Sequence, residues 1–273
     1  MYNDAFAIPI ATLGESLNRV NTAARRILFY IPGRVSDRAL CVATATGFEP
    51  VAVERINPPS DDSVSLHYND TFTKLSLWKF GEYGIKGVVY LDADMLVRRN
   101  FDELFRLPYN FAAVPDVYLG PRGFTVDINT GFMFVRPSAA VFRDLVARID
   151  TADYDHSAGE QGYLNVWHSA DAVRLPYVYN GNLAIKERNP ELWRSLQPEL
   201  RVIHYTLVKP HWRLVYDDMG FEDMHENVLR WAERSNGIFR EEVLEWGRAW
   251  KDTEEKYHSA FTRCRQRSDL HVA

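Results

Sequence analysis

A short apolar run, Val88-Val89-Tyr90-Leu91, opens directly into Asp92-Ala93-Asp94. The apolar residues read as a buried strand, and the two carboxylates stand where that strand should end. Side chains alternate along an extended chain, so Asp92 and Asp94 point to the same side. Two hard oxygen ligands on one side of a strand end can share a divalent cation such as Mg²⁺ or Mn²⁺. Open α/β sheets also bind their ligands at the carboxyl ends of strands. An isolated Asp-x-Asp is common and equally compatible with a solvated turn; the apolar strand in front of it gives this one weight.

Other elements alternate around that run. Residues 9–21 read as a helix with Ile10, Leu13, Leu17 and Val20 roughly on one face. Residues 27–31 are a buried strand, Ser36 caps a helix running through Leu40, and residues 50–56 are a further strand. Pro58 to Asp62 is a loop. Residues 73–80 read as a helix, 84–87 as a turn, 111–114 and 131–135 as strands, and 139–149 as a helix. The alternation argues for a layered α/β sheet. From Glu222 onward the pattern is helical, carried by Val228, Trp231, Ile238, Phe239, Val243, Trp246 and Trp250.

Composition narrows the function. The chain has 273 residues and a net charge of −5, which argues against a dedicated nucleic-acid binder. Aromatic residues make up 13%, with seven Trp, enough for a large core or a carbohydrate-contacting surface. The two cysteines, Cys41 and Cys264, give no disulfide framework and no cysteine-based zinc site. No apolar run reaches the length of a membrane span. The first residues lack the basic start of a signal peptide. A reducing, cytoplasmic location is the expectation, and Trp residues exposed on the C-terminal helices would offer a homodimer contact.

The segment from Tyr90 to Phe105 resembles the metal-binding segment of the family 8 glycosyltransferases, the glycogenin and galactinol synthase group. Further blocks follow in the family's order. Asn3-Asp4-Ala5-Phe6 with Leu13-Gly14-Glu15-Ser16-Leu17 resembles its nucleotide-contacting N-terminus and first helix, and Thr73-Lys74-Leu75 its threonine-lysine-leucine helix start. Ala113-Val114-Pro115-Asp116 and Ile128-Asn129-Thr130-Gly131-Phe132 resemble its proline-aspartate and asparagine-x-glycine pair. Gly159-Glu160-Gln161-Gly162 resembles its acidic-Gln-Gly block, followed by Pro176-Tyr177-Val178-Tyr179-Asn180. His204 through Lys209-Pro210 resembles its histidine-to-lysine-proline block. The resemblance spans roughly residues 3 to 212.

It implies a GT-A type nucleotide-diphospho-sugar transferase fold, α/β, with a mixed, mostly parallel sheet flanked by helices and a helical C-terminal extension. Residues 1–215 would form the transferase domain and 216–273 helices packed on it. The implied reaction is metal-dependent, configuration-retaining transfer of a hexosyl group from a UDP-sugar, UDP-glucose or UDP-galactose, to an acceptor hydroxyl of a carbohydrate, polyol or protein. Asp92, Asp94 and His204 would hold Mn²⁺ or Mg²⁺. Lys209 would face the diphosphate and Lys74 the donor. Asn3, Phe6, Ala93 and Asn129 complete the donor-binding set, and Asp116, Glu160 and Gln161 would stand at the reaction centre. The donor sugar is left open among glucose, galactose, xylose and glucuronate.

The pattern is broken in places. Met1 stands almost where the family has its first hydrophobic strand, so that strand is trimmed or missing. Leu207 stands where the family has a glycine, and the spacing from His204 to Lys209 is one residue shorter than in glycogenin. Phe6 replaces a frequent tyrosine. No tyrosine follows Asn180 where glycogenin carries its acceptor, so self-glucosylation at that place is not supported. Haloacid-dehalogenase-like phosphatases also place Asp-x-Asp after a strand, but want Thr or Val where Leu96 stands. The remaining alternative is a degenerate member that binds UDP-sugar without turnover.

Overall fold

The computed structural model describes residues 1–60, 68–212 and 223–266. Asp61 and Asp62 of the expected loop, and Glu222 at the head of the C-terminal stretch, lie outside these. In chain order the elements are α1 (Ala7–Arg19), β1 (Ile27–Tyr30), α2 (Asp37–Thr44), β2 (Glu49–Ala52), β3 (Val88–Leu91), β4 (Met95–Val97), β5 (Phe111–Val117) and β6 (Phe124–Val135). There follow α3 (Ala139–Ala147), α4 (Gly159–Trp167), β7 (Val173–Arg174), β8 (Gly181–Asn182), α5 (Leu183–Arg188), α6 (Pro190–Leu196), β9 (Val202–His204), α7 (Met224–Ala232), α8 (Arg240–Lys256) and α9 (His258–Arg265). A 3₁₀ run, Thr71–Tyr83, replaces the helix expected at 73–80 and buries Leu75, Leu77 and Trp78. It ends at Gly84, whose φ of 74° suits a residue without Cβ. Parallel and antiparallel pairings are equally represented among the described strands, so the sheets are mixed rather than mostly parallel.

The described residues form two compact units. The first comprises Met1–Ala52, Ala93–Phe101 and Gly181–Ala273. Its helix α1 buries Ile10, Leu13 and Leu17 as expected, but residues 7–17 are buried on every side rather than along one face, and Val20 lies half-buried just beyond the helix. Ser36 caps α2 as expected, its hydroxyl accepting from the Ala39 amide at 3.1 Å. Strand β1 runs parallel to β2. Strand β9 pairs antiparallel with β4, Met95 opposite His204, and parallel with β8. Helix α8 packs on α1 and α7, and α9 packs on α2. The Glu15 carboxylate accepts from Lys256 at 2.9 Å and from the Tyr257 hydroxyl at 2.9 Å, tying α1 to the end of α8.

Two sequence expectations need correction in this unit. Trp246 and Trp250 are buried inside the chain, so they are not exposed for a dimer contact. Their spacing on α8 matches a core stripe and not an outward face. The two cysteines do pair: Cys41 on α2 and Cys264 on α9 form a disulfide across 223 residues, with Cα atoms 5.5 Å apart. Sequence separation hid a contact that helix packing creates. Disulfides persist in oxidising compartments, which sets this pairing against the reducing location expected from composition. Reduction, or Cys41→Ser, is expected to lower the unfolding free energy by roughly 2–5 kcal/mol. An unchanged urea midpoint with and without reductant would contradict this.

The second unit comprises Val53–Asp92 and Asp102–Asn180. Its sheet runs β3-β6-β5-β7, with β6 antiparallel to both β3 and β5. The strand expected at 131–135 is longer, beginning at Phe124. Phe132, Met133, Phe134 and Val135 are fully buried, while the first half of β6 is partly exposed, so only the second half carries an apolar signal. Register shifts interrupt the β5–β6 pairing between Ala113 and Val114 and between Pro115 and Val117. Such bulges bend a strand and re-aim its side chains. Asp116 and Asn129 lie beside these shifts.

Candidate active site

Strand β3 ends at Leu91, and the Asp92 amide donates to the Gly131 carbonyl at 2.8 Å, holding the chain against β6. The turn through Ala93 then leads to Asp94, whose carbonyl accepts from the Tyr205 amide at 3.0 Å just beyond β9. Asp92, Asp94 and His204 each offer one ligand atom, and these atoms lie within 4.8 Å of one another. Two carboxylate oxygens and an imidazole nitrogen suit a borderline-hard divalent cation such as Mn²⁺. Among the described residues no other group of His, Cys, Asp and Glu converges in this way.

Each carboxylate also has an ammonium partner. Lys209 pairs with Asp94 Oδ2, and His204 Nε2 stands 3.3 Å from Asp94 Oδ1. Burial alone would push the Asp94 carboxyl up. Lys209 and His204 more than offset it and hold Asp94 well below the usual carboxylate range. The Lys209 ammonium also lies over the Trp212 ring, 5.6 Å from its centroid. His211 beside it is buried with neither ring nitrogen hydrogen-bonded, and burial pushes its imidazole down to about 3.

Lys74, on the 3₁₀ run, stands 3.1 Å from Asp92 and 2.8 Å from Glu160. Burial would lower its ammonium; the two carboxylates raise it well above its ordinary value. Glu160 is pushed up by burial but held below its ordinary value overall by Lys74. Its Oε1 also accepts from the Thr130 hydroxyl at 2.7 Å. Tyr90 donates to Asp92 Oδ1 at 2.6 Å.

A further polar cluster continues from Thr130. Gln161 Oε1 accepts from the Thr130 amide at 3.1 Å, and Gln161 Nε2 donates to Asp116 Oδ2 at 2.9 Å. Asn129 Nδ2 donates to Asp116 Oδ1 at 3.1 Å, and Asn129 Oδ1 accepts from Asn180 Nδ2 at 2.9 Å. Asn165 clamps α4 to β6, accepting from the Ile128 amide at 2.7 Å and donating to the Ile128 carbonyl at 3.0 Å. Gly159 starts α4 at φ 61°, and a Cβ there would lie 2.8 Å from Tyr68 Cβ. The glycine therefore lets Glu160 and Gln161 be held at this point.

Lys74, Asp92, Asp116, Asn129, Glu160 and Gln161 are thus linked by direct contacts through Thr130, and Asp94, His204 and Lys209 by another set. Ala93 lies half-buried in the turn joining the two carboxylates. Asn3 caps the first turn, its side chain accepting from the Ala5 amide at 3.1 Å. The half-buried Phe6 ring meets Tyr2 edge-on at 5.0 Å. These N-terminal residues contact none of the charged groups above in the hydrogen bonds and ion pairs described. Sequence reasoning assigned no role to Tyr90, Thr130 or Asn180. Each orients a charged or amide group already singled out, and each is adjacent to or within a block recognised from the sequence.

Over 216 residues the chain is 30% identical to UDP-glucuronate:xylan alpha-glucuronosyltransferase 2 of Arabidopsis thaliana, covering 76% of this chain and 34% of that protein. It is 26% identical to glycogenin of Neurospora crassa, over 78% of this chain and 30% of the relative. It is 29% identical to human glycogenin-1, over 79% of this chain and 61% of the relative. Its sequence relatives are thus glycogenins and glucuronosyltransferases, and they support a likeness to the glycogenin-like family 8 glycosyltransferases. The chain spans about a third of the length of the first plant and fungal relatives. No family model matches it. Among solved structures, the glycosyltransferase GlyE of Streptococcus pneumoniae TIGR4 superposes with a TM-score of 0.58 at 17% identity, over 98% of this chain and 64% of that one. An active-site mutant of LgtC gives 0.54 at 17%, over 86% of this chain and 97% of that one. These likenesses show that the chain has the GT-A glycosyltransferase fold. No helix among its described residues is long and apolar enough to cross a membrane.

Proposed function

We propose that the chain transfers a hexosyl group from a UDP-sugar to an acceptor hydroxyl, with retention of anomeric configuration and dependence on a divalent cation. The convergence of Asp92, Asp94 and His204 carries this reading. Those three residues would hold Mn²⁺, whose chemistry as a Lewis acid is to neutralise charge on the departing diphosphate. Lys209 supplies a point charge for the same diphosphate. Asn3, Phe6 and Ala93 would bind the nucleoside. Lys74 holds Asp92 in place, and its contact with Glu160 makes the latter a positioning group rather than a free base. Asp116, Asn129 and Gln161 would bind the sugar.

In the reaction the anomeric carbon–oxygen bond to the diphosphate breaks and a new one forms to the acceptor oxygen. Retention is compatible with a covalent carboxylate intermediate or with a front-face route, and we infer the latter, in which the acceptor proton passes to the departing diphosphate with Gln161 beside the reacting carbon. Its amide is already fixed by Thr130 and Asp116, so it can present a polar N–H without becoming a nucleophile. The test is release of UDP from UDP-glucose and UDP-galactose with and without Mn²⁺. Mn²⁺-dependent release is the expected result. Mn²⁺-dependent UDP binding without release from any donor, with or without added glycan acceptors, would instead favour a member that binds without turnover.

A further inference from the structure

The polar cluster on β5, β6 and α4 has a definite hydrogen-bonding sense. The amide oxygen of Asn129 accepts from the Gly131 amide at 3.1 Å and from Asn180. That of Gln161 accepts from the Thr130 amide. Both amides therefore turn their oxygens toward protein donors and donate their N–H groups to the two oxygens of Asp116. The carboxylate so held is an acceptor, and its remaining lone pairs match a ligand hydroxyl that donates a proton. A ligand carboxylate has no proton to donate there and must approach Asp116 as a like charge.

Two cations stand nearby, and both are engaged. The Lys74 ammonium is shared between Asp92 and Glu160. The Arg122 guanidinium lies over the Tyr118 ring, 5.1 Å from its centroid, and hydrogen-bonds the Tyr118 hydroxyl. The Tyr118 phenol, whose hydroxyl is 3.5 Å from Gln161 Nε2, is raised by burial and then by Asp116 and Asp127, against hydrogen bonds from Gln161 and Arg122. Tyr177 is raised by burial and then by Asp116. The cluster is joined through Thr130, Glu160 and Lys74 to Asp92, and on the transferase reading the donor sugar would meet it.

We propose that the Asp116–Asn129–Gln161 cluster selects a neutral hexosyl donor and rejects a uronyl donor, with Asp116 as the discriminating residue. The proposal rests on the transferase reading above. It separates this chain from those of its relatives whose names specify glucuronate transfer.

The test compares kcat/KM for UDP release from UDP-glucose, UDP-galactose and UDP-glucuronate with Mn²⁺, in the wild type and in Asp116→Asn. At least one neutral donor is expected to exceed UDP-glucuronate by about tenfold or more, since a like-charge contact costs at least that much. Asp116→Asn, which removes the charge and keeps the shape, is expected to narrow the ratio even where both rates fall. UDP-glucuronate used as well as or better than both neutral sugars would overturn the proposal while leaving the transferase reading intact. If no donor turns over, competition of the same three sugars against Mn²⁺–UDP reads the same ratio by calorimetry. If Mn²⁺–UDP does not bind at all, the transferase reading fails first and this proposal falls with it.

Discussion

Asp94→Ala is expected to abolish Mn²⁺-dependent UDP release, a loss of about a thousandfold or more, because on the proposed reading it removes a cation ligand needed as the leaving group gathers charge. The effect has two sources. One proposed ligand is deleted, and Lys209 and His204 lose the carboxylate that each of them faces. Asp94→Asn separates these, since it keeps the volume and one oxygen while removing the charge. Both variants should fold, as judged by circular dichroism and thermal midpoint, and both should lose the Mn²⁺ dependence. An Asp94→Ala enzyme that keeps near-normal Mn²⁺-dependent turnover would sink the assignment.

The second large effect is on stability. Lys74→Met should cost roughly 3–5 kcal/mol in urea unfolding, because it leaves a buried carboxylate without its cation. Glu160 has a side chain only 3% exposed and shares Lys74 with Asp92, so the variant leaves two like charges facing a lost partner. Adding Glu160→Gln to Lys74→Met should recover part of the loss, the signature of a coupled pair. The pH dependence has a definite sign. Lys74 holds the Glu160 carboxyl below its ordinary value of 4.5, so its contribution is fully present above about that pH and is lost as pH falls through the lowered value. The stability gap between wild type and Lys74→Met should therefore shrink on acidification below 4.5. A gap that stays constant from neutral pH to pH 3 would show that Lys74 acts through packing and not through charge.

The sequence made the local elements legible where a single physical signal dominated. The Ser36 cap and the apolar end of β6 follow from a capping side chain and an apolar run, whereas α1 is buried on every side and not along the one face its periodicity suggests. Asp92 and Asp94 were legible because a short apolar strand ends at them. What escaped detection depended on contacts between distant segments. Cys41 and Cys264 look unrelated until α9 packs on α2. Trp246 and Trp250 belong to the apolar pattern read as packing on the domain and are buried, so they offer no exposed Trp for the dimer contact expected of the C-terminal helices. Asn129 reads as a turn residue in isolation, but lies inside β6 beside a register shift. Tyr90, Thr130 and Asn180 carry no signal of their own, since each matters through the group it orients. Glu15 shows the converse: it sits in a block resembling the nucleotide-contacting N-terminus, yet its carboxylate is occupied by Lys256 and Tyr257.

The most direct measurement is a calorimetric titration of UDP into the wild-type protein with Mn²⁺ and with EDTA. The proposal that Asp92, Asp94 and His204 hold a cation predicts that UDP binds with Mn²⁺ and loses at least about a hundredfold in affinity when the cation is chelated. UDP affinity that is the same in Mn²⁺ and in EDTA would contradict a cation-held diphosphate.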